Sequence, residues 1–351
     1  MSNNQLDQHR IMWIDICKCF GISLVVALHY GVPTDINGFC HQFHMPVFFV
    51  LSGYCLNIVK YNRIRDFIVK RIKTLIVPYI LFSVLSFLFW NIIYYLWLKD
   101  NIIPFKQYLY CLFLDTTTTM ANIWGGIQWF LPALFFTEII FFVFVKQLKG
   151  KIAFICLLIL SLLGYVLPHV VNWRLPLAFD CALSMLPFYG IGYFARNNIP
   201  DIFVKIKDRK LYINFILLIL FGGIAYITYK LNGAPNVREL QYGNVILFLL
   251  GAFSGILVLI VCSLIFDKLF SDNSLIKRYI VYIGQNTLII LYIHRWLNGI
   301  FENIISLLDI NFSNSFQLYL FHFFEFILCF ILVYPIIKFI NRYCKILIGK
   351  F

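Results

Sequence analysis

Charge is scarce in this chain. Asp, Glu, Lys and Arg make up 13% of its 351 residues, while 61% are hydrophobic. A soluble domain is about a quarter charged and about half apolar. That balance excludes an ordinary soluble globular protein and places the chain in the membrane class, as does a mean hydropathy of +0.83. Acids are scarcer still, 16 against 29 bases, giving a net charge of +13. Ordered cysteine spacing is also absent. The ten cysteines form no CxxC pair, so neither a disulfide framework nor a zinc site is expected, and no metal is assigned. Cys40 and Cys111 fall in segments expected outside, but nothing in their spacing calls for a bridge. No internal repeat or low-complexity segment is visible, and "TTTT" at 116–119 reads as loop. The first apolar run carries Asp15 and Lys18 and lacks a small-x-small site, so it reads as a retained helix, not a cleaved signal.

What is present in quantity is apolar length. A bilayer core about 30 Å thick needs about 20 mostly apolar residues per helix. About ten such runs occur, near 11–30, 43–60, 75–98, 127–146, 152–168, 176–195, 211–230, 244–266, 279–298 and 316–340. The expected fold is an all-α bundle of about ten transmembrane helices forming one membrane domain over 1–351. The 38 Phe and 21 Tyr suit lipid contact and membrane interfaces.

The bases are distributed unevenly between the two sides that these runs define. One side carries 22 Lys and Arg, six of them in the loop 59–74, and the other carries six; Lys18 lies within a helix. Cytoplasmic loops collect Lys and Arg, so both termini are expected inside. The expected location is the cytoplasmic, or inner, membrane in multi-pass form. The charge is then a topology signal and calls for no nucleic-acid partner.

The first run, "IDICKCFGISLVVALHYG", holds three ionisable residues. At about 100° per residue, Lys18 and His29 fall within about 20° of one face, and Asp15 within about 60° of both. Lys18 and His29 are about 16 Å apart along the axis. The plain alternative is that Lys18 snorkels and pairs with Asp15 while His29 is interfacial. Ionisable groups in a membrane helix point by default to function, and one stripe holding three implies a polar pathway. In "HQFHMPVFFVLSGYCL" (41–56), His44 is expected level with His29 at the outer end. "GQNTLIILYIHRW" brings His294 to the same depth. Of the remaining intramembrane polar residues, Glu138 is the most central and could orient a histidine, bind substrate or line a cavity. Structural pairing is as good a reading for Asp180, His322 and Glu325.

These residues resemble a family. "IDICKCFGISLVVALHY" is similar to the first helix of the acyltransferase-3 superfamily of integral-membrane acyltransferases. That helix usually carries Arg, ten residues, then His; here Lys18 and His29 take those places. "FHMPVFFVLSGY" (43–54) resembles the branch of fucose 4-O-acetylase and related acetyltransferases. So do "KRIKTLIVPY" (70–79), "WFLPALFFTE" (129–138), "LPFYGIGY" (186–193) and "YIGQNTLIILYIH" (282–294). The family's Arg-x-x-Arg before the third helix is only partly present, as Lys70 and Lys73 around Arg71.

The resemblance implies an acetyl-CoA donor as substrate, with no bound cofactor. It implies a sugar hydroxyl of a surface polysaccharide or its lipid-linked precursor as acceptor, and polysaccharide biosynthesis machinery as a partner. Lys18, Asp15, Lys70, Arg71 and Lys73 are the expected donor contacts, and His294, Trp129 and Asn286 the acceptor contacts. His29, His44 and Glu138 are the expected catalytic group. His29 would act as general base, for which an imidazole of pKa about 6.5 is suited at neutral pH. A covalent acetyl-histidine is the variant. Two other classes stay open: a polysaccharide-precursor flippase or exporter, against which the absent repeats count, and a non-catalytic assembly partner.

Overall fold

A backbone in lipid finds no water, so it must satisfy its N–H and C=O groups within itself. The computed structural model describes residues 11–93, 104–114, 127–309 and 312–351. Among them every regular element is helical, apart from one isolated antiparallel bridge between Asn236 and Gln241. Among the described residues, eight helices are long and apolar enough to cross a membrane.

The first is α1 (Met12–Tyr30). It is followed by two short helices, α2 (Thr34–His41) and α3 (Pro46–Tyr54). The run expected at 43–60 therefore holds only one short helix, with α2 lying before it. Pro46 has no N–H, and the chain turns through 42–45 before helical bonding resumes. Gln42, fully buried, fastens this turn: its Nε2 donates to the Ala225 carbonyl at 3.0 Å, and its Oε1 accepts from Thr228 Oγ1 at 3.1 Å.

The third run begins earlier than its hydropathy suggests. It comprises α4 (Ile64–Arg71), a π-helical turn at Ile72–Ile76 and α5 (Val77–Ile93). Most of the expected 59–74 loop is thus helix. The reason is amphipathicity: Phe67 is buried while Arg65, Lys70 and Lys73 stay exposed, and a window average cancels the two faces. Next come α6 (Phe105–Phe113), α7 (Phe130–Gln147) and α8 (Gly150–Val170). A 3₁₀ turn at Pro176–Ala178 leads into α9 (Phe179–Asn198), followed by α10 (Ile202–Asp208), α11 (Leu211–Asn232) and α12 (Val245–Leu269). The run expected at 279–298 is broken, into α13 (Leu275–Gln285) and α14 (Thr287–Leu307), with Asn286 non-helical at φ −120° and ψ 24°. The chain ends with α15 (Ser315–Tyr343) and a short 3₁₀ turn. The 116–119 segment and Lys99 lie outside the described residues.

The centre is built from α1, α3, α9 and α12. By contrast, α11 and α15 bury only 17% and 22% of their spanning windows, which leaves the rest for lipid. Two close approaches hold the centre. A Cβ on Gly53 would lie 1.9 Å from the Tyr189 carbonyl oxygen, and one on Gly192 would lie 2.0 Å from that of Val50, so α3 and α9 touch backbone to backbone. Likewise a Cβ on Gly284 would lie 1.7 Å from the Asp15 carbonyl oxygen, which seats α13 directly on α1. Small residues serve this purpose where lipid supplies no hydrophobic drive between helices. The cysteines, Cys40 and Cys111 included, are free thiols.

Gly284→Ala is expected to lower the stability of the detergent-purified protein by about 1–3 kcal/mol or more, through overpacking against backbone. Gly222, with nothing within 4 Å of its position, should accept Ala without loss and with a gain of up to about 1 kcal/mol from helix propensity. Thermal unfolding of the two variants side by side checks the contrast.

Candidate active site

The polar stripe of α1 faces the broken helix α13–α14. At one end Asp15, buried, accepts from Gln285 Nε2 at 3.3 Å. At the other end His29 Nδ1 lies 3.0 Å from His294 Nε2. Tyr30 Oη donates to the His294 carbonyl at 3.0 Å, which fixes the register between α1 and α14. Lys18 lies between these ends, half-buried. It makes no ion pair with Asp15, and among the described residues it has no hydrogen-bond or ion-pair partner.

Hydrogen bonding dictates the tautomers of neutral imidazoles. His294 Nδ1 lies 2.8 Å from the Ile290 carbonyl, which can only accept, so this nitrogen carries the proton. His294 Nε2 is then bare and must accept from His29 Nδ1–H. The relay leaves His29 Nε2 with its lone pair free. A proton acceptor with its orientation set by a second group is the arrangement a general base needs. His41 and His44 follow the same rule: each directs Nδ1 to the carbonyl four residues back, Asn37 at 2.8 Å and Cys40 at 3.0 Å. Their rings meet edge to face at 4.9 Å.

A cavity of about 310 Å³ opens beside His29 and is lined also by His41, His44, Trp129, Asn236 and Arg238. The structure therefore brings His29, His44 and Trp129 together, with His294 behind His29. Two groups here were not foreseen. His41 was legible as the residue three before His44, one helical turn away. Arg238 sits in a short irregular loop, where no periodicity marks its direction. Arg295, next to His294, is half-buried with its Nη1 on Asn298 Oδ1 at 2.9 Å and, among the described residues, no ion-paired carboxylate.

Glu138 and Asn286 stand elsewhere. Glu138 is buried against Arg71, Nε to Oε2 at 2.7 Å, a charge contact without hydrogen-bond alignment. Arg71 leaves α4 immediately before the π-helical turn, which rotates it inward while Lys70 and Lys73 stay out. Among the described residues no histidine is in contact with Glu138, and it does not line the cavity with His29 and His44 with which it was grouped. Asn286 occupies the helix break, donating to the Tyr282 carbonyl at 2.8 Å and accepting from Asn341 Nδ2 at 2.7 Å. It is eight residues from His294, about 12 Å along a helix, and does not line the cavity. Sequence order alone could not show this, because both residues lie in motifs that also carry cavity residues.

At the opposite, base-rich end, Arg65, Lys70 and Lys73 with Asp66 and Val69 line a shallow hollow of about 490 Å³. Of the expected donor residues, Lys70 and Lys73 are thus together on the surface, Arg71 is turned inward to Glu138, and Lys18 and Asp15 lie deeper in α1.

A bundle of long apolar helices with histidines around a cavity at one end and a cationic hollow at the other defines a polytopic membrane protein. A family model described as an acyltransferase domain matches residues 11–337. The chain belongs to this acyltransferase-3 family and is a multi-pass membrane acyltransferase. No curated protein and no solved structure matches it.

His294→Ala should release His29 from its Nδ1–H tautomer, whereas His294→Gln, which keeps an acceptor oxygen, should retain it in part. The ¹⁵N shifts of labelled histidine in the two variants, read beside acyl-transfer rate, check this; a large loss of rate in Ala with partial recovery in Gln is expected.

Proposed function

We propose that this protein is an O-acetyltransferase that moves acetyl from cytoplasmic acetyl-CoA to a sugar hydroxyl of a surface polysaccharide or its lipid-linked precursor. The observation that carries the reading is the Ile290–His294–His29 relay, which leaves Nε2 of His29, a residue lining the cavity, with a free lone pair.

The excess of Lys and Arg supports placing the base-rich end in the cytoplasm, with the chain in the inner membrane. CoA carries several phosphate charges, and the hollow of Arg65, Lys70 and Lys73 supplies cations there. Among the described residues Lys18 has no hydrogen-bond or ion-pair partner. A half-buried ammonium is costly without an anion, so a donor diphosphate or pantetheine group entering along α1 would be its counterpart. Arg71 is already neutralised by Glu138, and we assign this pair to the architecture of the donor end.

In the reaction, the acceptor hydroxyl oxygen attacks the thioester carbonyl carbon while His29 Nε2 takes the hydroxyl proton. Nδ1 keeps its proton against His294, which spreads the positive charge of the imidazolium into the hydrogen bond. The tetrahedral intermediate then collapses, the carbon–sulfur bond breaks, and the thiolate of CoA takes the proton from His29 Nε2. The products are the acetyl ester and CoA thiol, and the imidazole returns to its starting tautomer. His41, His44, Trp129 and Arg238 surround the acceptor.

Purified protein given labelled acetyl-CoA and the unacetylated surface glycan should transfer label to the glycan. His29→Ala should reduce the rate by about 100-fold or more, the usual contribution of a general base, while the protein still accumulates in the membrane. Lys18→Ala should raise the donor KM by about tenfold, the value of one charge-assisted hydrogen bond, with little change in kcat. Full activity in His29→Ala would refute the mechanism.

A further inference from the structure

The cavity beside His29 has a neighbour. A second cavity of about 260 Å³ lies at the same end, lined among others by Asn172, Trp173, Arg174, Glu239 and Leu240. One short turn separates the two. Asn236, Val237 and Arg238 line the first cavity, and the next two residues line the second. The turn is closed by backbone hydrogen bonds between Asn236 and Gln241, at 2.7 and 2.9 Å. Arg238 Nη2 donates to Glu239 Oε1 at 2.6 Å, so one ion pair bridges from cavity to cavity. Cys181 Sγ, 3.4 Å from the Val237 carbonyl, ties this wall to the start of α9.

The second cavity is polar in a particular way. Trp173 is 62% exposed at its edge. Arg174 is held rigid by Asp180, with Nε at 2.8 Å and Nη2 at 3.2 Å, which leaves Nη1 without a partner among the described residues. Glu239 engages Arg238 through Oε1 and leaves Oε2 open. The backbone around it is strained: Leu177, Ala178 and Leu240 have φ of 56°, 53° and 57°, three of the four non-glycine residues with positive φ among those described. Strain of this kind persists where a surrounding structure imposes it and gathers at binding sites. An interfacial tryptophan that anchors a protein in the bilayer needs neither a charged cavity beside it nor a strained frame.

We propose that this second cavity is a carbohydrate subsite that takes the sugar unit next to the one acetylated, so that the acceptor is an oligosaccharide or longer glycan and not a free monosaccharide. This rests on the reading that a sugar hydroxyl is delivered to His29. The Trp173 face offers an apolar surface for the C–H face of a pyranose ring. Asn172, Arg174 Nη1 and Glu239 Oε2 offer planar donors and acceptors for adjacent hydroxyls. The Arg238–Glu239 pair lies at the junction, where it would meet the glycosidic linkage.

The test uses full-length purified protein, labelled acetyl-CoA, and size-fractionated fragments of the surface glycan from cells lacking this gene. We expect kcat/KM to rise by about tenfold from one sugar unit to two or more, the equivalent of about 1.4 kcal/mol. Trp173→Ala should collapse that ratio toward one by raising the KM of the longer fragments, and Trp173→Phe should restore most of it. Transfer with no size preference would overturn the subsite while leaving the sugar acetyltransferase reading intact. So would a Trp173→Ala loss falling equally on short and long fragments, which is what a bilayer anchor or a folding defect predicts. Transfer to no fragment of any length would overturn both.

Discussion

A polar group inside a bilayer must find its partner in the protein, because no water is there to supply one. Most features of this structure answer that demand. The backbone answers by being helical and, where helices meet, by placing glycine so that α3 reaches α9 and α13 reaches α1 without a side chain between them. Buried side chains answer in pairs: Arg71 with Glu138, Arg174 with Asp180, His29 with His294. Each pair joins two helices distant in sequence or a loop to a helix, so the same bonds that remove the solvation penalty also set the geometry of both ends.

The residues that do not conform are then informative. Lys18 has an ammonium in a membrane helix and no partner among the described residues. Arg295 is half-buried beside His294 with an asparagine in place of an acid. His41, His44 and His29 line one cavity, and the first two spend only Nδ1 on backbone carbonyls. Unmet polar capacity is expensive here, so its concentration along α1 and at one end of the bundle marks where polar substrates would complete the protein. The helix breaks belong to the same account. Irregular backbone at membrane depth is tolerated where protein surrounds it; the turn at 42–45 carries His44 to the cavity, and the break at Asn286 lets α13 seat on α1 while α14 carries His294 to His29.

Much of this was legible beforehand, and particular residues show why. Helical spacing alone put Asp15, Lys18 and His29 on one stripe, and counting spans put His29, His44 and His294 at one depth; both relations hold in the fold. The amphipathic α4 was missed because Phe67 and the surrounding bases cancel in a hydropathy average. Glu138 was read as the most central acid and grouped with His29 and His44. Its direction depended on Arg71, which meets it from the end of α4. Asn286 shares a motif with His294, yet a helix break and about 12 Å of rise separate their surroundings.

The sequence by itself determined that the chain is an all-helical membrane protein, which residues share a face of α1, and which family it resembles. These follow from composition, from a period of 3.6 residues and from local motifs, all of which are properties of neighbouring positions. Only the tertiary structure decided that His294 fixes the tautomer of His29, that Glu138 belongs to Arg71, and that Arg238 and Glu239 divide two cavities. Those outcomes depend on contacts between residues as far apart as 29 and 294, and on the rotation of each helix about its own axis. No one-dimensional pattern records that rotation, because it is set by which side chains the neighbouring helices can accommodate.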